Sequence, residues 1–191
     1  LNSDEERVME YVKQVPDGVK VLFASAKFCD KCTVQIQDGQ LGWMHESTFT
    51  PVIATNDIPL AGAHNHANVA SALAALFAAI GEKVLLQADS IAQVIRTFSS
   101  LPHRLEVVAS NGITWINDSQ ATIPDASIAA LKAFPAPRIL IAGGRTKLEI
   151  DAYKNWAKEV ASRAEYLITI GEAQEMFGDL AREAGMSSEK I

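Results

Sequence analysis

Apolar residues recur at helical spacing at Val8, Met9, Tyr11, Val12 and Val15, and Pro16-Asp17-Gly18 closes the run, so the pattern predicts a helix over 4–15. "VKVLFAS" (19–25) is a nearly unbroken apolar run and reads as a buried strand. Residues 33–37 alternate, Asp38-Gly39 is a hairpin turn signal, and 40–44 return; "TPVIAT" (50–55) adds a strand. Residues 66–80, "HANVASALAALFAAI", are apolar on nearly every face and stop at Gly81, which predicts a helix buried among other elements. A further helix is expected from Ala88 or Asp89 to Phe98.

Ser99-Ser100-Leu101-Pro102 breaks the pattern like a linker, and two domains are expected, 1–100 and 101–191. Beyond it, "RLEVVAS" and "ITWIN" flank Asn111-Gly112 and predict a hairpin. A helix over 125–134, a strand over 138–142, a helix over 151–163, a strand over 166–170 and a helix over 172–184 follow. Strands alternating with helices imply an α/β fold with a parallel sheet and right-handed crossovers.

Composition narrows the function classes. A net charge of −6 argues against a general nucleic-acid binder, while a local basic site for a nucleotide stays open. No window approaches eighteen apolar residues without polar breaks, so no membrane span is expected, and the acidic start lacks a signal-peptide pattern. The composition reads as cytoplasmic. Two cysteines make no disulfide framework. Cys29-Asp30-Lys31-Cys32 lacks two further zinc ligands and precedes a hairpin rather than a helix, so it reads as a loop with two reduced thiols.

Ligands of open parallel sheets bind beyond the carboxyl ends of strands, and two polar clusters stand at such ends. One is Asp118-Ser119-Gln120-Ala121-Thr122 after "ITWIN"; the other is Gly143-Gly144-Arg145-Thr146-Lys147 after "RILIA". Asp118 suits a pair of vicinal hydroxyls. Thr122 and the amides before Pro124 form an anion-binding corner, and Lys147 adds a point charge for a carboxylate or phosphate. Helix capping and chain turning account for the same residues equally simply. Asn65 and Asn68 are three apart, on one face of a helix start, and an amide pairs with the N6 and N7 edge of adenine; a plain N-cap at Asn65 is the structural alternative. His64-x-His66 lacks a third metal ligand. His103-Arg104 sits at the supposed joint, where Arg104 would reach phosphates or make an interdomain salt bridge.

His64-Asn65-x-x-Asn68, Leu101-Pro102-His103-Arg104-x-Glu106, Asn117-Asp118-Ser119-x-Ala121-Thr122 and Gly143-Gly144-x-x-Lys147, in this order, resemble the Mur ligase family. The Asn117 block is similar to the words of its D-glutamate-adding branch, and "LNSDEE" is similar to an asparagine–acid segment of the family's central domain. The resemblance implies the later part of a central ATPase domain, followed by a partial Rossmann-like C-terminal domain. It implies ATP-dependent ligation of D-glutamate to UDP-N-acetylmuramoyl-L-alanine through an acyl phosphate, in peptidoglycan precursor synthesis. By resemblance Asn65 and Asn68 hold adenine, and Arg104 and Asp118 hold the ribose and phosphates, with His103 lining the same cleft between two lobes. Thr122, Lys147 and Gln120 face D-glutamate. No residue here is assigned as catalytic. ATP and Mg2+ are the implied cofactors, with the magnesium ligands elsewhere. No nucleic acid or membrane partner is implied, and the whole protein is expected to be a monomer.

Two departures stand out. Gln120 replaces the branch's lysine, and Ile123 the asparagine that often follows the threonine. No G-x-x-G-K-[ST] phosphate loop occurs, so the chain reads as an internal fragment that does not turn over ATP alone. A non-catalytic nucleotide-binding module of the same fold is the alternative.

Overall fold

The computed structural model describes residues 1–146 and 148–191. The chain forms two compact units, Leu1–Ser99 and Ser100–Ile191.

In the first unit, β1 (Val34–Gln37), β2 (Gln40–His45) and β3 (Thr48–Ala54) form an antiparallel sheet in the order 1-2-3. The Asp38-Gly39 turn sets the first hairpin, with Gln37 opposite Gln40. Ahead of the sheet lies α1 (Glu6–Glu10), and the sheet leads into α2 (Ala63–Ile80) and α3 (Ala88–Arg96). Leu41, Trp43 and Ile53 from the sheet pack with Ala70, Leu73 and Phe77 of α2 and with Val84 and Ala92. The Trp43 indole Nε1 donates to the Leu73 carbonyl at 3.1 Å, which satisfies its one buried polar atom. By length and composition the run 63–96 is apolar enough to cross a membrane; here one stripe of it carries this core, while Leu76 and Ile80 stay exposed.

Three expectations need correction. The helix expected over 4–15 is α for Glu6–Glu10 and tightens to a 3-10 turn over Tyr11–Gln14, with no buried residue to hold a longer α-helix. The run 19–25 forms no full strand. It pairs only around Ala24, which bridges Asn2 on one side and Val34 on the other. The cysteines are not separate thiols: Cys29 and Cys32 form a disulfide. A tight turn, with the Cys32 amide on the Cys29 carbonyl at 3.1 Å, holds their Cα atoms 5.4 Å apart, within bridging range.

In the second unit, β4 (Glu106–Ser110) and β5 (Thr114–Asn117) form an antiparallel hairpin. α4 (Pro124–Ala133), β6 (Ile139–Gly143), α5 (Lys154–Arg163), β7 (Tyr166–Ile170) and α6 (Gln174–Glu183) follow. β6 and β7 pair in parallel, joined through α5, as the alternating pattern implies. The hairpin is a separate sheet, so β5 does not join the parallel strands as the chain order suggests. One face of the parallel pair, with Leu140, Ala142 and Leu167, packs on Trp156, Val160, Phe177 and Ala181. Trp156 Nε1 donates to Ser127 Oγ at 3.0 Å and ties α5 to α4. The other face exposes Ile139, Ile141, Tyr166, Ile168 and Ile170.

Candidate functional site

The start of α2 carries the first group of predicted residues. Gly62, at φ 96°, is the N-cap, and the helix begins at Ala63, so Asn65 is not the cap. Instead the buried Asn65 side chain is engaged at both ends: Nδ2 donates to the Ala61 carbonyl at 2.7 Å and Oδ1 accepts from Asn68 Nδ2 at 3.2 Å. Asn68 is exposed, and its Oδ1 makes no hydrogen bond among the described residues. The two asparagines therefore divide the work: Asn65 fixes the helix entry and orients Asn68, and Asn68 presents the amide edge. Burial holds the neighbouring His66 imidazole below its ordinary pKa, favouring the neutral ring.

The second group lies in the Ser100–Ile191 unit, where the Leu101–Glu106 and Asn117–Thr122 segments clasp each other across the mouth of the hairpin. Residues 102–105 turn sharply, with His103 at φ 66° and Leu105 at φ 48°, both unusual for side-chain-bearing residues. Several polar groups of the turn find partners on the clasp. Glu106 Oε2 accepts the His103 amide at 2.8 Å, and Asp118 Oδ1 accepts the Leu105 amide at 3.0 Å. The Gln120 amide donates to the His103 carbonyl at 3.1 Å, and the Ser100 hydroxyl donates to the Arg104 carbonyl. Asn117 Nδ2 lies 2.8 Å from His103 Nδ1 and 3.5 Å from Glu106 Oε2. Such strain persists where surrounding contacts over-determine it, and that happens most at functional sites.

Arg104 is exposed on this turn and makes no ion pair among the described residues. Asp118 is half-buried, with one carboxylate oxygen committed to Leu105. The Gln120 side chain donates to the Pro102 carbonyl at 3.4 Å, a long bond that holds the clasp shut. Thr122 is exposed and directly precedes Ile123, the N-cap of α4, which has no side-chain cap. The first-turn amides of α4 therefore remain available beside the Thr122 hydroxyl.

Gly143 and Gly144 place the third group. A Cβ on Gly143 would sit against the Ile170 carbonyl oxygen, well inside van der Waals contact. Gly144 has φ 101°, and its amide donates to the Ile170 carbonyl at 3.2 Å. The glycine pair thus lets the ends of β6 and β7 meet closely and turns the chain toward Arg145, which pairs with Glu172 at 3.0 Å. Lys147 lies outside the described residues. A shallow cavity bordered by Thr169, Gln174, Gly178 and Arg182 contains none of the predicted residues.

Comparison with known proteins finds relatives of one kind. The chain is 32% identical over 187 residues to the UDP-N-acetylmuramoylalanine–D-glutamate ligase of Desulfitobacterium hafniense, a match covering 97% of this chain and 39% of that protein. It is 37% identical over 179 residues to the enzyme of the same name from a Roseiflexus strain, covering 89% of this chain and 36% of the relative. Over nearly its whole length the chain is similar to Mur ligases. It spans less than two-fifths of the length of these curated relatives. Solved Mur ligase-type structures agree on the fold. A UDP-N-acetylmuramoylalanyl-D-glutamyl-2,6-diaminopimelate–D-alanyl-D-alanyl ligase from Acinetobacter baumannii superposes with TM-score 0.54 at 13% identity, covering all of this chain and 40% of that one. A pseudomurein peptide ligase type C from Methanothermus fervidus gives 0.55 at 17% identity over 86% of this chain and 34% of that one. No family profile matches the chain.

Within this chain, motif reading found the segments but not how they pack together. Glu106 and Asn117 were visible only as letters of two motifs. Their joint hold on His103 needed the hairpin to bring positions eleven and fourteen residues apart into contact.

Proposed function

We propose that this chain is the nucleotide- and amino-acid-recognition part of an ATP-dependent ligase that joins D-glutamate to UDP-N-acetylmuramoyl-L-alanine in the cytoplasm. The observation that carries the reading is the identity of 32–37% to D-glutamate ligases across 89–97% of the chain. The clasp of the two motif segments, both rich in ligand-type polar groups, supports it.

In this reading the Asn68 amide reads the adenine edge, donor to N7 or N1 and acceptor from N6, with Asn65 as its positioning residue. Arg104, held outward on the 102–105 turn, offers a planar guanidinium to phosphate oxygens. Asp118 keeps one carboxylate oxygen for ribose hydroxyls while the other holds Leu105. Thr122 and the uncapped amides of α4 suit a carboxylate of D-glutamate, and Lys147 supplies the matching positive charge. Gln120, where the branch carries lysine, keeps a hydrogen-bonding side chain but no charge, so Lys147 carries more of the anion affinity. This reading leaves the magnesium ligands and the phosphate loop to other parts of a longer protein, since the chain spans less than two-fifths of its curated relatives.

The chemistry asked of these residues is positioning. The carboxylate of the nucleotide-linked substrate takes the γ-phosphoryl group, and the D-glutamate amine then displaces phosphate from the acyl phosphate. Rate is gained by holding the amine and the acyl carbon at reacting distance and by stabilising the transferring phosphoryl oxygens. The test uses the longer protein that carries this chain. Lys147→Ala raises KM for D-glutamate far more than KM for ATP, and Asn68→Ala does the reverse. Equal effects on both substrates would remove these assignments, and an active ligase that takes another amino acid would refute the substrate.

A further inference from the structure

The clasp fixes one thing that its motif letters do not: the protonation pattern of His103. Asn117 Oδ1 accepts the Ser119 backbone amide at 3.2 Å, and a backbone amide can only donate. The other end of the Asn117 side chain lies 3.5 Å from a Glu106 carboxylate oxygen, which as a carboxylate only accepts. Both neighbours demand the same orientation, so the group facing the imidazole is the amide NH2. It meets His103 Nδ1 at 2.8 Å, and an NH2 donor there requires a lone pair on the ring nitrogen. In the neutral ring the proton is then on Nε2. The ring is otherwise drawn the other way, since Glu106 Oε2 stands 3.8 Å from Nδ1 and would attract a proton there.

We infer that His103 is a neutral Nε2–H donor to an anionic oxygen of the ligand, and that Asn117, set by Ser119 and Glu106, is its positioning residue. The side chain of His103 is 58% exposed, Nδ1 is the engaged edge, and Nε2 has no recorded partner among the described residues. Glu106 adds a second hold through the His103 amide, so ring and backbone are oriented together. The ligand chemistry is a phosphate or carboxylate oxygen, which accepts from N–H; a ring acting as a base at Nε2 is excluded by the tautomer. The inference rests on the ligase reading only for the identity of the ligand. The tautomer stands or falls by itself.

The test begins with the 191-residue chain labelled with 15N-histidine. Two-bond and three-bond 1H–15N correlation spectra, taken where the rings are neutral, report which nitrogen carries the proton, and His103→Gln assigns the signal. The expected result is Nε2–H; a predominantly Nδ1–H ring overturns the inference. Asn117→Asp keeps the acceptor for Ser119 but turns the facing donor into an acceptor, so the main tautomer switches to Nδ1–H; an unchanged ring overturns the role of Asn117. Amide shifts of β4 and β5 report whether the hairpin is intact. If that variant does not fold, Asn117→Ala decides: with the donor gone and Glu106 kept, the Nδ1–H fraction rises, and an unchanged ring overturns the role of Asn117. In the ligase, His103→Gln places an NH2 near Nε2 and keeps KM within about threefold, while His103→Asn, which places it near Nδ1, raises KM by roughly three- to tenfold, as losing one hydrogen bond does. A rise for ATP marks a phosphate oxygen and a rise for D-glutamate a carboxylate; equal losses in both variants overturn the donor role. A protein with no ligase activity defeats the functional reading and leaves the tautomer result standing.

Discussion

Gly143→Ala tests how tightly the strand end before Lys147 is built. Its φ is ordinary, so the cost is steric. The added methyl would lie 2.7 Å from the Ile170 carbonyl carbon and closer still to its oxygen. Comfortable contact is near ~3.5 Å, so β6 and β7 must separate by roughly 1 Å. Overpacking of this kind costs about 1–3 kcal/mol. The Gly144 amide bond to Ile170, now 3.2 Å, stretches with it, adding about 0.5–1.5 kcal/mol. Removing a glycine returns up to ~1 kcal/mol through the unfolded chain. The net is about 0.5–4 kcal/mol, centred on ~2 kcal/mol. Urea titration followed by amide peak intensities reads the two units separately. The β6 and β7 signals should lose more than about 1 M in midpoint, at an m-value of roughly 1–2 kcal/mol/M, while β1–β3 signals hold still. Gly144→Ala is the comparator, with φ 101° but nothing within 4 Å of a Cβ; it pays only conformational strain. An unchanged midpoint for Gly143→Ala, or a larger loss for Gly144→Ala, refutes the steric argument.

Asn65→Ala removes a buried donor and the acceptor that orients Asn68; it should cost about 1–3 kcal/mol in thermal unfolding of the first unit and weaken nucleotide binding with it, whereas Asn65→Asp keeps the acceptor and restores part of the affinity. His66 is held below its ordinary 6.5 in the fold, so folding disfavours its proton. Its contribution is intact above that value and is lost as pH falls from there through the folded pKa; His66→Gln should flatten this part of a stability–pH curve, and an unchanged slope would show that another group governs it. Reducing Cys29–Cys32 opens a short loop, which by chain entropy costs roughly 2 kcal/mol; dithiothreitol should lower the melting temperature of the native chain but not of Cys29→Ser/Cys32→Ser.

Much of the local architecture was legible. Asp38-Gly39 and Asn111-Gly112 marked the β1–β2 and β4–β5 hairpins because tight turns demand residues that accept positive φ. Alternating helix and strand runs after 124 foretold the parallel β6–β7 pair. The run 19–25 misled because apolar content predicts burial and not partners, and strand character depends on partners. The Cys29 loop misled because spacing alone does not say whether a turn brings two sulfurs together. At the candidate site, residue types were informative and roles were not. Asn65 and Asn68 look equivalent as letters, yet one is buried and spent on Ala61 while the other is exposed.

Thus the one-dimensional chain carried the resemblance to Mur ligases, most element types and the residues with ligand-type chemistry, since these follow from hydrophobic period, turn chemistry and short motifs. The tertiary structure alone decided which of those side chains are spent on holding one another. Hydrogen-bonding capacity is finite, and only spatial neighbours consume it: Ser119 and Glu106 commit Asn117, Asn117 commits Nδ1 of His103, and what remains for a ligand is the edge they leave open.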